Sequence, residues 1–83
     1  MSSTEKLLNR FLKNPGSIKF KRIETLLFRL RFEKSGINGS HHKFSHTLIH
    51  KAYSIPVHGN DCKTIYKKKL AKLISENLNI FQL

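Results

Sequence analysis

The chain has 83 residues, which is the size of one domain rather than two. Lys and Arg number 16 against five Asp and Glu, so the formal net charge is +11, which favours nucleic acid, an anionic membrane or an acidic protein as partner. Apolar residues make up 39%, which excludes a disordered tail, and their short runs exclude a membrane-spanning segment.

Two amphipathic helices are predicted in the first part of the chain. In the first helix, from about Thr4 to Leu12, apolar residues recur at helical spacing, and Asn14-Pro15-Gly16 ends it. The second helix is predicted to begin with Ser17 as its N-cap. Its apolar residues all fall on one face, namely Phe20, Ile23, Leu26, Leu27 and Leu30.

A short extended stretch, Arg31 to Lys34, is predicted to follow, and the turn-forming residues 35–40 then close a hairpin. The next strand, His41 to His46, has the alternation of a half-buried strand, and Phe44 is its apolar member. We therefore place His42 and His46 with Phe44 on the core side. His41 and Lys43 then lie on the open face of the sheet.

A further strand is predicted over Ala52 to Val57, with Tyr53, Ile55 and Val57 pointing inward, and His50 is placed in the preceding loop. Pro56 cannot donate to a strand ladder, which indicates an edge or a strand end. The last helix is predicted from about Lys63 to Leu78 with Asp61 or Thr64 as its cap. Its apolar side carries Tyr66, Leu70, Leu73, Ile74 and Leu78, and its opposite side carries Lys68, Lys69 and Lys72.

These elements predict an α+β, two-layer domain whose core is one helix, three strands and one helix, with an extra helix in front. Residues 1–83 form this single domain, with a helical extension at 1–15, the core at 17–78 and an apolar tail at 79–83. The same element order occurs in the double-stranded-RNA-binding domain, which reads nucleic-acid shape and backbone.

Several stretches in this order resemble the HicA family, the toxin half of bacterial HicA–HicB toxin–antitoxin pairs. The segment Gly39-Ser40-His41-His42-Lys43-Phe44 resembles the family's Gly-Ser-His signature. It is preceded by a helix ending in Arg31-Phe32-Glu33, and followed by a turn around Pro56-Val57-His58 and a Lys-rich helix. Val57 separates Pro56 from His58, which departs from the family pattern, so we assign His58 no role.

The resemblance implies a cytoplasmic endoribonuclease that cleaves mRNA without a metal or cofactor and is neutralised by a HicB-like antitoxin. His41 matches the family's functional histidine. A histidine, whose ordinary pKa is about 6.5, suits the proton transfers that cleavage of a phosphodiester requires. Strand alternation makes Lys43 a candidate phosphate contact, Gly39 permits a tight turn, and Ser40 can bind phosphate or orient His41. Lys68 and Lys72 are candidate RNA contacts on the last helix.

Other readings stay open. His41 could be a solvated surface residue, and the protein could then be a passive RNA-binding module or a basic structural protein on DNA. The spacing of His42, His46 and His50 would suit a zinc site on a helix, but alternation favours a strand. Cys62 is the single cysteine, forms no internal disulfide, and is predicted to be inert. The apolar stripe of the first helix and the tail are candidate surfaces for the antitoxin or for weak self-association.

Overall fold

The structure is a computed structural model that describes residues 2–81. Its elements, in chain order, are α1 (Ser3–Lys13), α2 (Phe20–Arg29), β1 (Glu33–Asn38), β2 (His41–His46), β3 (Ile49–Pro56) and α3 (Thr64–Glu76). Short 3₁₀ turns lie at Pro15–Ser17 and at Leu78–Ile80. The predicted α+β class, the helix–three strands–helix order and the additional first helix are therefore confirmed. Within the described residues, no helix combines the length and apolar character needed to cross a bilayer.

The strands form one antiparallel sheet in the order β1-β2-β3. Gly39 and Ser40 alone connect β1 to β2, so the predicted turn over residues 35–40 is wrong in its first part. Residues 35–38 belong to β1, because pairing with β2 supplies backbone hydrogen bonds that outweigh their turn-forming composition. A register shift between Lys34 and Gly36, where Gly36 has φ +146°, accommodates this irregular sequence.

The third strand begins earlier than predicted, at Ile49 rather than Ala52, so His50 lies in β3 and not in a loop. The alternation predicted for β2 is confirmed. Phe44 is 0% exposed and His46 is 7% exposed on the helix-covered face, whereas His41 and Lys43 are exposed. Pro56 is the last residue of an edge strand, as its missing amide hydrogen predicted.

All three helices contribute to one core. The predicted α2 stripe is buried, and the stripe of α1 (Leu7, Leu8 and Phe11) is buried with it. The prediction that this α1 stripe is a free docking surface is therefore wrong, because the stripe stabilises the fold by being removed from water. In the tail, Phe81 is also buried, against Phe32 and His46. Leu83 lies outside the described residues.

The start of α2 differs from the prediction. Ser17 lies in the 3₁₀ turn before it, and Lys19 occupies the N-cap position without a capping side chain. Instead, the backbone N–H of Phe20 donates to the Asp61 carboxylate at 3.0 Å, across 41 residues of sequence. Asp61 therefore caps α2, and the prediction that Asp61 or Thr64 caps α3 is wrong.

The last helix is shorter than predicted. It ends at Glu76, so Leu78 lies outside it and is 44% exposed. Lys67, the residue just before Lys68 and Lys69, is only 4% exposed, and its ammonium group pairs with the Asp61 carboxylate. Lys68 and Lys72 are exposed, as expected.

Candidate active site

The Gly39-Ser40 turn sets the position of His41. Gly39 has φ +63°, a left-handed conformation that glycine adopts without a Cβ penalty, and this allows a two-residue turn. The Ser40 carbonyl accepts a 2.8 Å hydrogen bond from the N–H of Val57, just beyond the end of β3. The turn is thereby fixed to the chain that leaves the sheet.

His41 is exposed on the outer face of the sheet, and one of its ring nitrogens is held in place. Its Nδ1 lies 3.1 Å from the Oγ of Ser54, at hydrogen-bond distance, on the neighbouring strand. This contact fixes the ring direction and leaves Nε2 as the nitrogen for a ligand. The serine hydroxyl can donate or accept, so it supports either neutral tautomer of the imidazole.

Around His41 lies a pocket of about 210 Å³, here called the His41 pocket, lined by His41, Pro56, His58, Lys63 and Tyr66. Pro56 is the register partner of His41 across β2 and β3, so the chain that follows Pro56 must pass beside His41. That chain carries His58, then Lys63 at the N-cap position of α3, and then Tyr66 in its first turn. Two imidazoles, an ammonium and a phenol therefore share one small opening.

The His41 pocket contains residues that the sequence did not single out. His58, Lys63 and Tyr66 were assigned no role in the pocket. The signal that could have found His58 is the strand pairing, because a residue two positions beyond the partner of His41 must lie near it. Lys63 and Tyr66 then follow once the short turn brings α3 back to this corner.

The predicted cationic contacts lie elsewhere. Lys43 is exposed on the outer face of β2, opposite Ser54 in register, and does not line the His41 pocket. Lys72 lines a separate groove with Lys51, Tyr53 and Lys69. Lys68 is exposed on α3. Contact of Lys43, Lys68 and Lys72 with RNA stays a prediction, and their positions would place it outside the pocket.

A second cavity, of about 650 Å³, lies beside the same turn and is lined in part by Lys19, Lys21, Gly39, Ser40, His42 and Asn60. The predicted site residues Gly39 and Ser40 therefore border this cavity rather than the His41 pocket. Within the described residues, the Nδ1 of His42 is buried and has no hydrogen-bond partner, while its ring packs edge-on against Phe20 at 5.2 Å between centroids.

Asp61 holds the turn that carries His58. The backbone N–H of His58 donates to the Asp61 carbonyl at 3.0 Å, and the Asp61 N–H donates back at 3.3 Å. The Asp61 carboxylate accepts from the N–H groups of Phe20 and Cys62, and its two oxygens lie 3.0 and 3.2 Å from the Lys67 ammonium. Burial acts to raise the pKa of Asp61, but the hydrogen bonds from Lys67, Cys62 and Phe20 outweigh it and lower the pKa to about 2.

The remaining histidines and the cysteine have distinct surroundings. His46 uses both ring nitrogens, since Nε2 lies 3.0 Å from the Leu30 carbonyl and Nδ1 accepts from the Leu48 N–H at 3.1 Å. Among residues 2–81, no group of three His, Cys, Asp or Glu side chains is arranged to hold a metal ion. Burial raises the pKa of Cys62, which keeps it a protonated thiol near neutral pH and therefore a poor nucleophile.

Comparison with known proteins gives one match. The sequence profile of the family described as the HicA toxin of bacterial toxin–antitoxin matches residues 20–75, which is more than half of the chain. The matched span runs from the start of α2 to the end of α3 and contains the whole His41 pocket, whereas α1 lies outside it. No curated protein and no solved structure matches the chain.

Proposed function

The chain belongs to the HicA family of toxins of bacterial toxin–antitoxin systems, and from this premise we propose that it is a metal-independent endoribonuclease acting on mRNA. The His41 pocket is the main structural support for this proposal. An imidazole held at one nitrogen by Ser54 borders an opening that Lys63 also lines, on a protein of net charge +11. These groups can supply a proton acceptor and a positive charge to an RNA phosphodiester.

In the proposed reaction, His41 accepts the proton of the ribose 2′-hydroxyl group, and the resulting oxygen attacks the adjacent phosphorus. Lys63 stabilises the negative charge that develops on the phosphoryl oxygens, because a cation near a transition state of increasing charge lowers its energy. Proton transfer by a positioned imidazole contributes about 10²–10⁴-fold to such a rate. The excess of positive charge attracts RNA from solution and weakens in salt.

Purified protein and a long single-stranded RNA test the proposal directly. We expect cleavage in the presence of EDTA, and a loss of about 10²–10⁴-fold in rate for His41→Ala. His50→Ala is the matched control, since His50 is an exposed histidine on the neighbouring strand outside the pocket. Cleavage that disappears with EDTA would contradict the metal-free mechanism.

Expression in bacteria tests the toxin activity separately. Induction of the unaltered chain should stop growth and reduce translation, whereas His41→Ala should be tolerated at the same protein level. RNA binding without cleavage by the unaltered protein, together with identical behaviour of His41→Ala, would instead support a passive RNA-binding module. Competition by duplex DNA as strong as that by single-stranded RNA would favour a structural DNA-binding protein.

We further propose that an acidic HicB-like antitoxin neutralises the protein. The support is the family membership together with the net charge of +11, which an acidic partner would complement. A small acidic protein encoded next to this chain should restore growth when both are expressed together. Failure of that neighbouring protein to bind or to restore growth would contradict this pairing and leave the nuclease proposal to its own test.

A further inference from the structure

The geometry of RNA cleavage requires two proton transfers at two different places. The attacking 2′-oxygen and the leaving 5′-oxygen lie roughly in line on opposite sides of the phosphorus. One ring nitrogen of His41 cannot be within hydrogen-bond distance of both oxygens at the same moment. If His41 removes the proton from the 2′-hydroxyl group, a second group must protonate the leaving oxygen.

We propose that His58 is this second group, the general acid that protonates the leaving 5′-oxygen. The inference rests on the proposed endoribonuclease function. His58 is exposed and lines the same pocket as His41, at about 210 Å³. That volume is several times the ~30 Å³ of a water molecule and below the about 300–1,000 Å³ of drug-sized ligand sites. A pocket of this size can hold one phosphodiester group, and both His41 and His58 line it.

The fold holds the backbone of His58 in place through the residues on both sides of it. Its backbone forms the reciprocal pair of hydrogen bonds with Asp61, and the Asp61 carboxylate is fixed by the first turn of α2 and by Lys67 of α3. On its other side, Pro56 is paired with His41 in the sheet. A catalytic side chain needs this rigid support, because a small displacement of a proton donor costs much of its effect.

The chemistry of the residue types favours His58 over its neighbours in the pocket. Lysine and tyrosine side chains ordinarily titrate near pH 10, whereas an imidazole titrates near neutral pH and is both available as an acid and able to give up its proton. Lys63 is then left to stabilise charge on the phosphoryl oxygens. Tyr66 is half-buried at the lining of the pocket and has the Lys69 ammonium 5.9 Å from its ring centroid.

Each proton and each bond is accounted for in the proposed cleavage step. His41 takes the proton of the 2′-hydroxyl group as the bond from the 2′-oxygen to phosphorus forms. The bond from phosphorus to the 5′-oxygen breaks, its electron pair goes to that oxygen, and the His58 imidazolium supplies the proton. The products are a 2′,3′-cyclic phosphate and a 5′-hydroxyl end. His41 is left protonated and His58 neutral, and exchange with water restores both.

An RNA whose scissile 5′-oxygen is replaced by sulfur tests the assignment, because a thiolate leaves without needing a proton. With ordinary RNA, we expect His58→Ala and His58→Gln to lose about 10²–10⁴-fold in cleavage rate. With the sulfur-containing RNA, both variants should cleave as fast as the unaltered protein. His41→Ala should stay slow on both substrates, because it lacks the base.

The other outcomes separate the two proposals. Cleavage of ordinary RNA by His58→Ala at the unaltered rate, or a loss that sulfur does not restore, would overturn the role of His58 while leaving the nuclease in place. The role of His58 would also be overturned if the sulfur-containing RNA restored the cleavage rate of Lys63→Ala or Tyr66→Phe but not that of His58→Ala. Failure of the unaltered protein to cleave either RNA would refute the endoribonuclease function itself.

Discussion

The two ends of β2 place the same residue type in opposite surroundings. At one end, His46 is 7% exposed, with hydrogen bonds at both ring nitrogens and edge-on contacts to Phe32 and Phe81 at 5.0 and 5.4 Å between ring centroids. At the other end, His41 is exposed, and among residues 2–81 a hydrogen-bond partner is found only for its Nδ1. Catalysis requires a ring nitrogen that a substrate can reach, so a histidine whose hydrogen bonds are all satisfied contributes stability instead.

The largest expected stability effect distinguishes the two ends directly. His46→Ala should lower the free energy of unfolding by about 3 kcal/mol, because the Leu30 carbonyl and the Leu48 N–H lose their partner and the aromatic contacts are lost. His41→Ala should change it by less than about 0.5 kcal/mol, as surface substitutions do. Urea denaturation followed by circular dichroism measures both. If both variants lost the same free energy of unfolding, the two ends of β2 would not differ in their contribution to stability.

A smaller effect on stability is expected at Asp61, which holds the turn beside the His41 end of β2. Asp61→Asn keeps an oxygen for the α2 cap but removes the charge beside the buried Lys67, so we expect a loss of about 2 kcal/mol at pH 7. Lys19→Ala removes the other cation near Asp61, at 3.7 Å and largely exposed, and serves as the control with an effect below about 0.5 kcal/mol.

The same residue predicts an acid dependence. Because the folded pKa of Asp61 is about 2 and its ordinary value is 3.8, its charge stabilises the fold fully above about pH 4. That contribution disappears as the pH falls through about 2. Stability of the unaltered protein should therefore decline more steeply between pH 4 and 2 than that of Asp61→Asn. Parallel curves would show that Asp61 is not the responsible group.

The smallest expected effect is an increase in stability from a substitution near the His46 end of β2. Arg31 follows α2 with φ +73°, and the Phe32 N–H bonds the Leu27 carbonyl at 2.9 Å in a helix-ending motif that usually uses glycine. Arg31→Gly should raise the free energy of unfolding by about 1 kcal/mol, because the left-handed backbone no longer strains a side chain. A thermal melt measures the change, with Arg22→Gly, at an exposed arginine within α2, as a control that should be destabilising. A loss of stability in Arg31→Gly would contradict this account.

The contrast along β2 shows which parts of the structure the sequence can predict. Alternation is a local property, so it correctly placed His46 and Phe44 inside and His41 outside. The predicted order of elements followed from helical and strand periodicity in the same way. The turn over residues 35–40 was misread because β1 gains hydrogen bonds from β2 that its own composition does not reveal.

The site was harder to predict because it is assembled by distant parts of the chain. Asp61 caps a helix 41 residues earlier, and this contact depends on how α2 and α3 pack together. His58 comes beside His41 only through the pairing of Pro56 with His41. Resemblance to a family made His41 a candidate site residue, but the residues that surround its imidazole became visible only in the tertiary structure.

If the open end of β2 cleaves RNA through the 2′-hydroxyl group, as we propose, the chemical ends of the RNA fragments will record that mechanism. With EDTA present, fragments made by the unaltered protein should carry 2′,3′-cyclic phosphate and 5′-hydroxyl ends. They should be absent with His41→Ala and present with His50→Ala. Fragments with 3′-hydroxyl and 5′-phosphate ends, or cleavage that persists in His41→Ala, would contradict the account.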